Sequence, residues 1–264
     1  MWFNAPMSVR ALDEPLAFSI ERPQGRSAFV LACDHASRRI PRALGDLGLA
    51  AADLAAHIAW DIGAAAVARR LSAALDATLL LQNYSRLVID CNRPPTASDS
   101  IPRLTGGITI PGNAGVDDAG ALARRSAFFD PYHAALRQIL DQRESASTAS
   151  VLVAVHSFTP VYAGQQRPWH SGLMYHRDAR FALQLLPLLR ADTALVVGDN
   201  EPYTMGDLTD YTLPFHGEAR GIPHAGVEIR QDLIEDPAGQ AAWADRLAAV
   251  LPAALEALAT STSH

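Results

Sequence analysis

Cysteine is scarce in this 264-residue sequence: only Cys33 and Cys91 occur, each inside an apolar run. That excludes a disulfide framework and predicts two buried free thiols in a reducing compartment. Positive charge is not in excess either, with 22 Lys+Arg against 28 Asp+Glu and a formal charge of −6. Without a basic field, nucleic acid is not an expected partner. No apolar run approaches the roughly 20 residues that span a bilayer. The opening stretch, MWFNAPMSVRALDEP, lacks the basic start and unbroken apolar core of a secretory signal. The expectation is a cytoplasmic protein with no membrane partner. Internal repeats, low-complexity blocks and linkers are missing as well. One domain is therefore expected over 1–264, with a core over about 25–258 and loosely held ends in the first two dozen residues and the Ser-Thr-Ser-His tail.

What is present is a 49% hydrophobic content, enough for one large core, arranged as short β-branched runs alternating with longer alanine- and leucine-rich segments. That texture predicts an α/β fold, a sheet covered by helices. The strand candidates are 28–33, 77–81, 86–91, 150–155, 194–197 and 226–229. Helical spacing covers 50–75, 117–143, 177–189 and 238–258, with Pro252 expected to kink the last. The stretches 94–115 and 159–172 carry Pro, Gly and Ser without periodicity and read as long loops, which in compact domains are commonly functional.

Chemistry concentrates at strand ends. LACDHAS runs an apolar strand into Asp34 and His35, and VLVAVHS does the same for His156 and Ser157. Ligands gather at the carboxyl ends of strands in open α/β sheets, and two histidines delivered there supply the nitrogen donors of a transition-metal site. Two unrelated strand-end histidines are the plainer alternative. A catalytic zinc needs a third donor. HIAWDIG offers His57 and Asp61, one face of a helix if the segment is helical. Asp61 lies in an apolar setting that makes a lone carboxylate costly, so it is nominated as the ligand and His57 is read as an exposed helix residue. In SRLVIDCNRPP, Arg86 and the string Asp90 to Arg93 resemble an anion clamp, or else Arg86 and Asp90 form a surface pair. In HAGVEIRQDL, alternation puts Glu228 and Arg230 on one strand face, where they either pair or both face a site. A glutamate beside an activated water suits a general base.

Taken together, CDHASRRIP, SRLVIDCNRPP, VHSF, VGDNEPY and HAGVEIRQDLI resemble the N-formylglutamate amidohydrolase family, over about Leu31 to Ile234. The resemblance implies a fold similar to zinc carboxypeptidases and aspartoacylases, a three-layer αβα arrangement with a mixed, mostly parallel sheet. It implies a Zn²⁺ or other divalent-metal amidohydrolase acting on a small acidic N-formyl or N-acyl amino acid. His35 and His156 match the metal histidines, Glu228 the general base, Arg86 the arginine that polarises the amide carbonyl, and Asn92 and Arg93 the carboxylate-holding pair. Arg230 joins the substrate-binding set. The chain departs from the zinc-carboxypeptidase pattern at Arg38, where an acidic ligand would stand, so the carboxylate ligand must come from elsewhere. It also has Cys-Asp-His-Ala-Ser where the histidine-degradation enzymes carry Pro-His-Ser-Gly. Asp199, Asn200, Tyr203 and His216 are further candidates for substrate selection. Two other classes compete with this one. A non-catalytic binder of a small amino-acid-like anion would not need both histidines and Glu228. A serine hydrolase built on Ser37 or Ser157 lacks the Gly-x-Ser-x-Gly elbow.

Overall fold

The computed structural model describes residues 9–261. Its main elements run β1 (Phe18–Glu21), β2 (Phe29–Cys33), α1 (Ala51–Ala55), α2 (Ala64–Leu75), β3 (Thr78–Gln82), α3 (Asp118–Arg124), α4 (Asp130–Ser145), β4 (Val151–Phe158), β5 (Ser171–Met174), α5 (Ala182–Arg190), β6 (Val197–Asp199), α6 (Thr212–His216), β7 (His224–Arg230) and α7 (Pro237–Ser261). The seven strands form one sheet in the order β1-β3-β2-β4-β7-β5-β6. β1 against β3 and β5 against β7 are antiparallel, and the other four pairs are parallel. This is the mixed, mostly parallel sheet of the expected α/β class.

The central strands carry unbroken apolar runs because both faces are covered. On one face Leu31, Val153 and Val227 meet α2, α5 and α7 through Leu71, Leu185 and Leu247. On the other, Val30, Leu152 and Ala154 meet Phe128, Tyr132 and Leu136 of the 118–145 helical stretch. That stretch is capped by Asp117, whose side chain accepts the Gly120 N–H. It passes through a π turn at Arg125–Phe129 before α4. Pro131 follows at once; it cannot donate to the helical ladder, and a π turn absorbs such a break.

Several expectations need correction. Segment 86–91 is not a strand: it runs as turns, with Val88 N–H donating to Ser85 O and Asp90 N–H to Ser100 O, while Leu87, Val88 and Ile89 are all buried. Its apolar run fills space between packed layers and joins no ladder. Segment 50–75 is two helices. The break spans Ala56 to Gly63, so His57 and Asp61 share no helix face. Gly63 (φ +80°) makes that break possible, since a Cβ there would overlap the Ile234 carbonyl oxygen. The N-terminal segment is held in part, because Phe18–Glu21 pairs with Thr78–Gln82 as an edge strand. Residues 1–8 and 262–264 of the expected loose ends lie outside the described residues. The long loops contain small hairpins, Leu104–Thr105 with Ile108–Thr109 and Val161–Tyr162 with Gln165–Gln166. The second loop ends in β5. The last helix runs through Pro252 as one element. No helix among the described residues is long and apolar enough to cross a membrane.

Candidate active site

β2 and β4 are adjacent and parallel, with Ala32 beside Ala154, so both deliver their histidines to the same end of the sheet. The His35 and His156 rings lie 5.1 Å apart, and both are buried. Between them stands Asp61. His156 Nδ1 is 2.9 Å and His35 Nδ1 3.3 Å from Asp61 Oδ2. The 56–63 break carries Asp61 there, and its N–H donates to the His35 carbonyl at 3.0 Å. One donor atom from each of the three residues falls within 4.8 Å of the others. Two imidazole nitrogens and one carboxylate oxygen are the donor set of a catalytic metal site. Each imidazole also turns its second nitrogen to another carboxylate. His35 Nε2 lies 2.8 Å from Asp90 Oδ1, and His156 Nε2 lies 3.4 Å from Asp34 Oδ2. Such outer partners fix which ring nitrogen is free to bind a metal. The donor set and its orientation fit a divalent cation.

Electrostatics follow from this packing. Burial opposes the charge on Asp61, yet His35 and His156 outweigh it and hold the carboxyl well below its ordinary range. Burial likewise disfavours charge on His156, and Asp34 and Asp61 overcome it and raise the imidazole. Glu228 sits beside His156 in the β7–β4 register, and its Oε2 is buried without a hydrogen-bond partner. Burial pushes its carboxyl up to about 7, His156 opposing and Asp61 adding to the shift. Arg86 fastens Asp90 through Nε (3.0 Å) and Nη2 (2.6 Å) and approaches Asp61 Oδ1 with Nη1 at 3.5 Å. The Arg86–Asp90 pair is therefore part of this site and not a surface pair.

These groups line a cleft of about 420 Å³. Glu228, Arg86, Asn92, Arg93 and the three metal candidates all face it. Asn92 is oriented by its own bonds: its amide oxygen accepts from Tyr211 N (3.1 Å) and Thr212 N (3.0 Å), and Nδ2 donates to Asp210 (3.1 Å). One Nδ2–H remains for the cleft. Arg93 donates through Nε to Asp99 at 3.1 Å. Arg230 is not brought together with the others. Its guanidinium turns to Asp232 (2.8 and 3.2 Å) and to the Trp169 carbonyl. His57, read from sequence as exposed, is half-buried and lines the cleft, because the helix it was placed on is broken. Of the four selection candidates only Tyr203 lines the cleft. Asp199 and Asn200 hold Tyr175, and His216 is buried against His133. Ser157 donates to the Ile62 carbonyl and Ser37 accepts from Arg39 N, so neither pairs with a histidine. The sequence places Asp90 in the clamp string and Asp34 at a strand end, but not their roles, because their partners His35 and His156 lie 55 and 122 residues away, respectively. A second cluster, His176, Asp207 and Glu218, has Arg177 at its centre, 2.7 Å from Asp207 and 2.8 Å from Glu218. It is already an ion-pair network.

A strand-end histidine–carboxylate centre on a mixed, mostly parallel sheet, with a buried glutamate alongside, defines an α/β protein with a polar centre fit for acid–base chemistry. Residues 27–235 match the family model for N-formylglutamate amidohydrolase. The chain belongs to that family, whose members are hydrolases acting on amide bonds. Among solved structures it is similar to the gene product Atu2144 from Agrobacterium tumefaciens, at 39% identity and TM-score 0.92 over 95% of this chain and 99% of that one. It also shares the fold of N-formylglutamate amidohydrolase from Ralstonia eutropha JMP134, at 19% identity and TM-score 0.66 over 92% of this chain and 98% of that one. None of the curated proteins matches the chain.

Proposed function

We propose that this chain hydrolyses an N-formyl or N-acyl amino acid with a metal-activated water, the metal being Zn²⁺ or another divalent cation held by His35, Asp61 and His156. The observation that carries the reading is the convergence of two Nδ1 atoms on Asp61 Oδ2 at the floor of a cleft, next to the unpartnered carboxylate oxygen of Glu228. When bound there, a divalent cation lowers the pKa of a coordinated water and polarises the scissile carbonyl.

The remaining work falls to the chain's own groups. Glu228 takes the proton of the attacking water at Oε2 and passes it to the leaving amine nitrogen. Arg86, its Nε and Nη2 fixed by Asp90, directs its remaining N–H groups toward the developing oxyanion. Arg93 and the free Nδ2–H of Asn92 hold the substrate carboxylate, which keeps the scissile carbonyl in place and restricts the substrates to small acids. Met174 and Tyr203 give the same cleft apolar surface for the remainder of the substrate.

Metal analysis of the purified protein, together with amine release from a panel of N-formyl and N-acetyl amino acids, tests the proposal. One equivalent of metal per chain is expected, with turnover lost to a chelator and regained on adding metal. Full activity in metal-free protein would overturn it.

A further inference from the structure

We infer that Asp34 is a positioning residue for His156, holding that imidazole in the one tautomer that can present Nδ1 to a metal; the inference rests on the metal-dependent reading above. An imidazole that gives Nδ1 to a cation must keep its proton on Nε2, and a buried N–H needs an acceptor. His156 Nε2 faces Asp34 Oδ2 at 3.4 Å, an ion-pair contact just outside hydrogen-bond geometry, and both atoms are buried with no hydrogen-bond partner, so each is the other's available partner. His35 shows the formed version of this pairing, its Nε2 hydrogen-bonded to Asp90 Oδ1 at 2.8 Å. Each histidine therefore stands between Asp61 and an outer carboxylate.

Asp34 is itself aimed. Its Oδ1 accepts the Tyr132 hydroxyl at 2.7 Å and the Thr212 hydroxyl at 2.8 Å. Both donors come from the helical layer, Tyr132 on α4 and Thr212 at the start of α6, and Asp34, Tyr132 and Thr212 are all buried. With Oδ1 occupied twice, Oδ2 is the oxygen left for His156. The bonds to Asp34 come from side chains, so the carboxylate is not capping a helix or a turn. Thr212 extends the arrangement: its hydroxyl binds Asp34 while its backbone N–H binds Asn92 Oδ1. One residue thus ties the orientation of the metal histidine to that of the substrate-clamp asparagine.

Asp34→Asn separates this role from mere packing, because it preserves shape. The amide lacks the charge that holds the Nε2 proton in either orientation, and with the Tyr132 and Thr212 hydroxyls still donating to its oxygen its NH₂ faces the imidazole, donor against donor, which favours moving the proton to Nδ1. The experiment titrates metal-free protein with Zn²⁺ against a competing chelator, and with Co²⁺ while recording the ligand-field absorption bands. Loss of an outer-shell partner typically weakens metal binding about 10–100-fold, and that loss is expected for Asp34→Asn, with altered Co²⁺ bands. Thr212→Val, nearly isosteric and retaining the backbone N–H to Asn92, should weaken metal binding in the same direction by a smaller factor. It serves also if Asp34→Asn fails to fold. Wild-type affinity and unchanged Co²⁺ bands in a folded variant would overturn the positioning role while leaving the metal centre intact. Absence of metal binding in the wild type would instead overturn the proposed function, and the positioning role with it.

Discussion

His133 and His216 form a buried pair whose protonation can be read from its hydrogen bonds, and acid stability follows. His133 Nε2 lies 2.8 Å from the Cys91 carbonyl, which only accepts, so this nitrogen carries the proton. His133 Nδ1, 3.0 Å from His216 Nε2, is then the acceptor, and His216 Nε2 the donor. His216 Nδ1 is buried and unpartnered. This assignment is that of two neutral rings, which burial enforces. Burial lowers His133 to about 4 and His216 to about 3. Asp34 and Asp130 oppose the shift at His133, and Arg137 and Arg220 reinforce it at His216. Because the folded values lie below the unfolded value of about 6.5, the unfolded chain gains protons first as pH falls. The stability tied to neutrality is full above pH ~6.5 and is lost as pH drops toward the folded values. Between pH 7 and 5 each group should cost about 2 kcal/mol, roughly 4 for the pair, at ~1.4 kcal/mol per pKa unit. His35 and His156, raised in the fold, act in the opposite direction. The clean measurement is therefore a difference between proteins. His216→Gln can still donate to His133 Nδ1 but does not titrate. Urea unfolding at pH 7, 6 and 5 should show the variant losing about 2 kcal/mol less than wild type over that range, whatever its absolute stability. Identical pH dependence in the two proteins, or an NMR titration placing His133 above pH 6, would refute the reasoning.

Glu228→Gln should keep bound metal near one equivalent while turnover falls by about 10²-fold or more, since general acid–base groups contribute roughly 10²–10⁴; near-normal turnover would remove Glu228 from the chemistry. His35→Ala or His156→Ala should drop bound metal well below one equivalent by elemental analysis, because two remaining donors hold a catalytic zinc poorly. For Arg93→Lys, charge is kept and the planar fork lost, so KM should rise for the acid and barely change for a substrate whose carboxylate is amidated; losses that simply add would make Arg93 structural. Gly63→Ala should lower the unfolding temperature and also weaken metal binding, because the left-handed turn and the contact with the Ile234 carbonyl set where Asp61 falls. A fully stable variant would mean that the turn has room the structure does not show.

The unbroken apolar runs of 29–33, 79–81 and 151–155 determined the central parallel strands, since a strand covered on both faces can be apolar at every position. The polar residues that end such runs put His35 and His156 at the carboxyl ends of their strands; the parallel pairing of β2 with β4 brought them together. Local sequence nominated Asp61 for its apolar setting but could not say which ring nitrogens it would meet or where Asp34 would stand. Tertiary structure decided it: the break before Gly63 places Asp61 between the rings, and Tyr132 and Thr212 draw Asp34 behind His156. The apolar run within 86–91 reads as a strand because burial on all sides gives a buried coil the same composition as a buried strand. Glu228 and Arg230 share parity on β7, yet only Glu228 faces the cleft, since Asp232 and the Trp169 carbonyl hold Arg230 where the strand ends. The His133–His216 pair joins positions 83 residues apart. Its tautomers are set by one carbonyl, that of Cys91, which packing alone brings within reach.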